Sequence, residues 1–178
     1  MRKYVEKLNW LIIIFFVGAC ASPPPTPPEW RYEKEAIHLR VKADPQLNFY
    51  QGMPHTLMLC VYQLREPNVY DQHATNKAGL YKLLECGLFD ASVTGSKRFI
   101  IKPGEDSNFG LDRFEGTEYV GIVTGYYLIE KERILRLTDI PVIEKRKNWT
   151  IWKKISTPGA LNIELKLGPQ QIQKFEVK

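Results

Sequence analysis

Histidines, cysteines and carboxylates are the side chains that could do chemistry in this chain, and their spacing limits which chemistry is available. The three histidines, His38, His55 and His73, stand seventeen and eighteen residues apart. Metal-binding sequences place their ligands much closer together, as in H-E-x-x-H or paired C-x-x-C, and neither pattern occurs. The sequence also lacks the G-x-S-x-G elbow of serine hydrolases and a phosphate-binding glycine loop. We therefore expect no enzyme, no metal site and no other bound cofactor.

Two cysteines, Cys60 and Cys86, lie in apolar runs of the globular part. A cysteine nucleophile needs an exposed, activated thiol within about 3 Å of a base, and an apolar setting does not favour one. One interpretation is a disulfide, which would contribute about 3–4 kcal/mol in the chain-entropy model. The other is a pair of buried free thiols that behave as small apolar residues. The sequence does not decide between them, because it does not give the separation of the two Cα atoms.

The third cysteine, Cys20, ends a segment with the layout of a secretory signal. Basic residues precede the apolar run 10–17, which is much shorter than the roughly 20 residues that span a bilayer. The sequence Val-Gly-Ala-Cys at 17–20 resembles the lipobox of bacterial lipoproteins, which are cut before a cysteine that then carries the acyl lipid. We predict that residues 1–19 are a signal peptide and that Cys20 is lipidated. The alternative is a short membrane anchor that stays uncleaved.

Export and lipidation limit the possible partners. Removing residues 1–19 lowers the net charge from +5 to +3, because three basic residues and one acidic residue lie there. No dense basic surface is then left for a nucleic acid. Ala21 follows the cysteine, where an aspartate would favour retention at the inner membrane. The lipoprotein resemblance thus implies an anchor on the periplasmic face of the outer membrane, in a compartment that permits disulfides.

A proline-rich segment follows the expected lipid, with five prolines in the eight residues 22–29. Such sequences favour polyproline II, which rises by about 3.1 Å per residue, so the segment would hold the domain roughly 25 Å from the membrane. The alternative is a ligand for a proline-binding groove. We assign residues 20–34 to a lipidated tether and residues 35–178 to one globular domain.

From residue 36 onward, apolar and polar residues alternate with the period of half-buried strands. The alternation is clear in 37–42 and 161–167, while 57–64 is apolar enough for a central strand. About eight such segments separated by turn residues predict an all-β fold, an antiparallel two-sheet β-sandwich. The apolar residues of 75–86 have helical spacing, and Gly87 stands where a C-terminal cap would. This stretch predicts one helix that crosses between the sheets.

The segment 44–55 between the first two strands is long for a hairpin. It contains Leu47, Phe49, Tyr50 and Met53. Apolar and aromatic side chains on an exposed loop are candidates for insertion into a partner's pocket. The alternative is that Leu47 and Phe49 fold back and plug the end of the sandwich.

A basic stretch at Lys145–Lys154 also contains Trp149 and Trp152. We interpret it as a solvated hairpin, with contact to anionic lipid or to another protein as the alternative. A different function, binding of a small molecule or glycan by a sandwich lipoprotein, would need a concave pocket lined by Trp149, Trp152 and Tyr127.

Four short motifs, in this order behind a lipobox, resemble the outer-membrane lipoproteins of type VI secretion systems, the TssJ family. They are Ala43-Asp44-Pro45-Gln46-Leu47-Asn48, Val61-Tyr62-Gln63-Leu64, Lys102-Pro103-Gly104-Glu105 and 119–126. The resemblance implies a transthyretin-like β-sandwich with a short helical insertion and no catalytic activity. It also implies binding to the periplasmic C-terminal domain of TssM within a TssJ–TssL–TssM membrane complex, which would tie that complex to the outer membrane.

By this resemblance, the loop between the first two strands contributes to the TssM contact. The corresponding residues here are Pro45, Gln46, Leu47, Asn48, Phe49, Tyr50, Gln51, Gly52, Met53 and Pro54. The stretch 49–51 departs from the polar filling expected of the family. The two cysteines and the long segment 68–76 depart from its commonest pattern as well.

Overall fold

A computed structural model describes residues 27–146 and 154–178. The expected signal peptide, Cys20 and the centre of the basic stretch lie outside these residues. The described elements are ten strands and three short helices: β1 Glu33–Ala43, β2 Leu57–Leu64, α1 Asn68–His73, α2 Lys77–Leu84, β3 Val93–Ile101, β4 Asp106–Arg113, β5 Tyr119–Thr124, α3 Lys131–Ile134, β6 Leu135–Asp139, β7 Val142–Arg146, β8 Lys154–Pro158, β9 Leu161–Leu167 and β10 Ile172–Val177. Within the described ranges, no helix is long and apolar enough to cross a membrane.

The strands form the predicted two-sheet sandwich. One sheet has the order β10-β9-β1-β4 and the other β3-β2-β5-β6, while β7 and β8 pair as a separate two-stranded ribbon. The pairing within the sheets is antiparallel except between β1 and β9, which run parallel with Ile37 opposite Leu161. Along β1, Ile37, Leu39 and Val41 are buried and the intervening His38 and Arg40 are exposed, as the alternation predicted.

The helical insertion is not placed as predicted. Two helices, α1 and α2, replace the single expected helix, and they connect β2 to β3, which are neighbours in one sheet. They therefore cover the outer face of that sheet and do not cross between the sheets. The physical reason lies in β2, seven of whose eight residues are buried, so that it needs cover on both faces. The left-handed residue after α2 is Cys86, with a φ of 54°, and not Gly87.

Tyrosine hydroxyls fasten the insertion to the sheet. The hydroxyl of Tyr62 on β2 donates to the carbonyl of Leu83 at 2.6 Å, and that of Tyr70 on α1 donates to the carbonyl of Ile122 at 3.1 Å. Burial raises the pKa of both phenols, which keeps the two donors protonated. Gly121 makes this packing possible, because a Cβ there would lie 2.6 Å from the ring of Tyr70.

The two ends of the sandwich differ, and β1 runs from one to the other. We call the end formed by 30–34, 113–118, 139–142 and 159–160 the tether pole, because the chain enters β1 there. We call the opposite end, formed by the loops 44–56, 102–105, 125–130 and 168–171, the loop pole. The ten residue steps of β1, at about 3.3 Å each, set the poles roughly 33 Å apart.

Side chains join the entering chain to the tether pole. Trp30 packs partly buried against the core, and β1 begins two residues before the domain start expected at residue 35. The hydroxyl of Tyr32 donates to Asp112 at 2.6 Å, and together with the amide of Glu35 it holds the pKa of that carboxyl below its usual range. The last residues of the expected tether thus belong to the folded domain.

A disulfide joins Cys60 on β2 to Cys86 at the end of α2. The two Cα atoms are 5.5 Å apart, within the range that a disulfide spans, and Cys60 is fully buried. The bond closes a loop of 26 residues that contains the whole helical insertion.

Reducing this disulfide is expected to lower the free energy of unfolding by about 3.5 kcal/mol, because a 26-residue loop is released in the unfolded chain. Urea unfolding with and without a thiol reductant measures the difference in the free energy of unfolding for one and the same amino-acid sequence. The Cys60→Ala/Cys86→Ala double variant is the control and should not respond to reductant. Equal stability of the oxidised and reduced wild type would contradict the prediction.

Candidate docking surface at the loop pole

The loop between β1 and β2 divides its apolar residues between the core and the solvent. Leu47 is fully buried in the core, while Tyr50 and Met53 are 44% and 56% exposed and Phe49 is half-buried. Of the residues named in the two alternatives, Leu47 folds back into the core, while Tyr50 and Met53 stay exposed and available to a partner. Leu47 plugs the end of the sandwich, and the next turn of chain presents an aromatic and a thioether side chain outward.

A tight hairpin shapes the exposed part of this loop. The amides of Tyr50 and Met53 each donate to the other's carbonyl, at 3.0 and 3.1 Å. The two central residues, Gln51 and Gly52, have φ values of 48° and 85°, so both are left-handed as in a type I′ turn. A glycine suits such a position because it has no Cβ to clash with the backbone.

The exposed aromatic residue of the hairpin stacks on a second loop. The ring of Tyr50 lies 4.1 Å from that of Tyr127, centroid to centroid, with 17° between the planes. His55 packs edge-on against Tyr127 at 5.3 Å. Tyr127 and the following Leu128 are 54% and 45% exposed, so the two loops present one continuous apolar surface.

Asn48 holds these two loops together. Its side-chain amide donates to the carbonyl of Thr56 at 3.1 Å, and its side-chain oxygen accepts from the amide of Tyr127 at 3.1 Å. The residue is nearly buried and has a φ of 49°, a left-handed conformation that asparagine tolerates better than most residues. One short side chain thereby fixes the hairpin relative to the loop after β5.

A third loop completes the surface. The amide of Phe49 donates to the carbonyl of Pro169 at 2.7 Å. The hydroxyl of Tyr126 donates to the carbonyls of Gly168 and Gln171 at 3.1 and 2.9 Å. Burial raises the pKa of Tyr126, so this hydroxyl remains a donor at any ordinary pH.

The three loops enclose a shallow cleft of about 170 Å³, lined by residues 48–50, 126–128 and 169–170. Its walls are tyrosine and phenylalanine rings, a leucine, a proline and amide groups. None of these groups is a base or a nucleophile at neutral pH, so the cleft suits the apolar side chain of a protein partner better than a reaction. We call this cleft with the side chains of Tyr50, Met53, Tyr127 and Leu128 the docking surface.

The structure brings together part of the predicted contact loop and adds residues that the sequence did not indicate. Pro45, Gln46 and Pro54 are exposed beside the docking surface. Leu128 was not predicted, and Tyr127 was named only for a glycan pocket, because 119–129 resembles one long apolar strand, whereas β5 ends at Thr124. No local signal marks the point where the strand stops.

Other candidate groups do not assemble into a reactive site within the described ranges. No group of three histidine, cysteine or carboxylate residues there could hold a metal ion. Cys60 and Cys86 are bonded to each other, and His38 is exposed on the outer face of its sheet. Two of the three residues named for a glycan pocket, Trp149 and Trp152, lie outside the described residues, and the third, Tyr127, stacks on Tyr50.

A family model described as "Type VI secretion lipoprotein, VasD, EvfM, TssJ" matches residues 35–169. That description is of a secretion-system lipoprotein and names no catalytic activity. No curated protein is similar enough in sequence to count as a relative.

Solved structures share the fold. The type VI lipoprotein TssJ1 from Pseudomonas aeruginosa is 19% identical, with a TM-score of 0.59 over 85% of this chain and 98% of its own. Lip from Serratia marcescens, a membrane-bound component of the type VI secretion system, is 15% identical, with a TM-score of 0.55 over 80% and 96%. A structure described as the TssM C-terminal domain from EAEC is 10% identical, also with a TM-score of 0.55 over 80% and 96%.

Asn48→Ala is expected to lower the free energy of unfolding by about 1–3 kcal/mol, because it removes two hydrogen bonds in a nearly buried place. Alanine is also strained at a positive φ, so Asn48→Gly serves as the control. Glycine tolerates the left-handed conformation and, like alanine, lacks the hydrogen-bonding side chain. If the hydrogen bonds matter most, urea unfolding should show similar losses for both variants. A stable glycine variant would assign the cost to backbone conformation instead.

Proposed function

This chain belongs to the type VI secretion lipoprotein family, and we propose that it anchors a type VI membrane complex to the outer membrane by binding the periplasmic C-terminal domain of TssM. The observation that carries the proposal is the docking surface, a rigid aromatic patch at the pole opposite the entry of the chain. The family match and the shared fold support the assignment to a secretion system. The choice of TssM and of these contact residues is our inference.

The docking surface has the properties of a protein-binding site. Tyrosines at the centre of an interface contribute strongly to affinity, since they bury a large rigid area at little cost in side-chain entropy. Here the stack of Tyr50 on Tyr127 and the hydrogen bonds of Asn48 hold the rings in place before a partner arrives. Little ordering entropy is then lost on binding.

The tether and the docking surface lie at opposite ends of the domain, as an adaptor between two membranes requires. We propose that the lipid on Cys20 holds the chain in the outer membrane, on its periplasmic face, and that this acyl group is its sole prosthetic group. Residues 22–29 would act as a spacer, and β1 then carries the chain to the loop pole. With a fully extended spacer of roughly 25 Å and a domain of roughly 33 Å, the docking surface would stand at most about 60 Å from the membrane.

A modest contact is sufficient for such a role. Several copies of this lipoprotein around one TssJ–TssL–TssM complex would bind jointly, and linked binding raises the effective concentration at each site. The domain needs rigidity and the correct height, and it needs no chemical step.

Phe49→Ala with Tyr50→Ala is expected to weaken binding of residues 22–178 to the TssM domain at least tenfold, about 1.4 kcal/mol. The two side chains form one wall of the docking cleft, and their truncation removes aromatic contact area. Calorimetry or surface plasmon resonance measures the affinity. Tyr81→Ala with Leu88→Ala is the control, because it also removes an aromatic and a large apolar side chain from the surface, but on the helical insertion and after it. Unchanged affinity in the Phe49/Tyr50 variant would exclude the loop from the contact.

Cys20→Ser is expected to abolish fatty-acid labelling of the protein and its recovery in the outer-membrane fraction, because the acylated thiol is lost. Thr26→Ala, in the same proline-rich segment, is the control and should retain both, because it leaves every cysteine in place. Assembly of a working secretion apparatus at normal levels by the Cys20→Ser variant would contradict the anchoring role.

A further inference from the structure

The β7–β8 ribbon is the part of the described fold that the docking function leaves unexplained. Its two strands pair only with each other and join neither sheet of the sandwich. Val142 and Ile143 are each 46% exposed on β7. A two-stranded ribbon is at best marginally stable in water by itself, so a ribbon with exposed aliphatic side chains is expected to gain from a covering surface.

Both ends of the ribbon join the sandwich at the tether pole. The amide of Ile140, just before β7, donates to the carbonyl of Glu118 at 2.8 Å. The amide of Gly159, just after β8, donates to the carbonyl of Pro141 at 2.7 Å, which closes the base of the ribbon. The ribbon therefore begins and ends roughly a strand's length away from the docking surface.

A buried arginine links the base of the ribbon to the chain that enters from the tether. The side chain of Arg113 is almost fully buried, and its guanidinium donates to the carbonyl of Gly159 at 3.3 Å. It also donates to the carboxylate of Glu33 at 2.7 Å and to the carbonyl of Arg31 at 3.4 Å. The position of the ribbon base is thus fixed relative to the tether.

Cationic residues are concentrated in the two described strands. Arg146 stands opposite Lys154, and Lys145 stands opposite Ile155 on the next rung. Three cationic residues thus fall on two successive rungs, against the single carboxylate of Glu144 in these strands. Clusters of lysine and arginine close to a bilayer are attracted by anionic headgroups, and the attraction acts only within about 8 Å at physiological salt. The ribbon would therefore reach the headgroups when the proline-rich spacer is less than fully extended.

We propose that the β7–β8 ribbon binds anionic phospholipid headgroups of the membrane that carries the tether. Its occupant is a lipid surface and not a second protein, because the ribbon shares its pole with the tether and combines cations with exposed aliphatic side chains. The contact would orient the domain on the bilayer, so that the loop pole points away from it. This function lies outside the docking surface and is independent of TssM binding.

The test uses residues 22–178, which contain every element of both sheets and lack the acyl group, so that any membrane binding comes from the domain. Co-sedimentation is measured with vesicles of phosphatidylethanolamine containing 30% phosphatidylglycerol and with vesicles of phosphatidylcholine alone. We expect binding to the anionic vesicles only, with a loss at high salt. Lys145→Gln/Arg146→Gln/Lys154→Gln is expected to weaken that binding about tenfold or more.

Lys77→Gln/Lys97→Gln/Lys166→Gln is the matched control, because it removes the same charge from exposed positions on α2, β3 and β9. It should bind the anionic vesicles within twofold of the wild type. An absence of anionic binding by the wild type, or an equal loss in both variants, would overturn the proposal. Unchanged affinity of the ribbon variant for TssM shows that the variant is folded and keeps this test separate from that of the docking surface.

Discussion

Burial of Leu47 at the end of the core is the contact on which the docking surface depends. The side chain closes the sandwich where β1 leaves it, and the amide of His55 donates to the carbonyl of Leu47 at 2.9 Å. With that point fixed, the chain between must turn within a few residues, and the type I′ turn at Gln51 and Gly52 does so. Tyr50 is then held outward on Tyr127, so a core contact determines what the surface presents.

Burial of β2 on both faces imposes a similar constraint on the rest of the domain. One face belongs to the core between the sheets, and the other requires the helical insertion as cover. The hydroxyl of Tyr70, the close approach at Gly121 and the bond between Cys60 and Cys86 all act at this second face. They stabilise the sheet that carries β5 and therefore the loop that follows it, where Tyr127 lies.

The two poles divide the work of the molecule along one axis. The tether pole is occupied by the entering chain, the base of the ribbon and the buried guanidinium that joins them. At the loop pole, the docking surface presents rings and aliphatic side chains held by backbone hydrogen bonds, while charged residues such as Lys102 and Glu130 lie on the neighbouring loops. Such an arrangement suits the adaptor role proposed above, because a rigid domain can hold two attachments at a fixed separation.

The sequence by itself determined the features that depend on local patterns. The alternation along 37–42 and 161–167 and the apolar run of β2 each predict an element from local sequence, and the short motifs indicated the family. Tertiary structure decided where elements meet, because this depends on contacts between residues far apart in the chain. The helical insertion lies outside the sheet because β2 needs cover on both faces. Leu47 is buried while Tyr50 is exposed because only one side chain fills the end of the core. Tyr127 joins the docking surface because Asn48, 79 residues earlier, accepts its amide hydrogen.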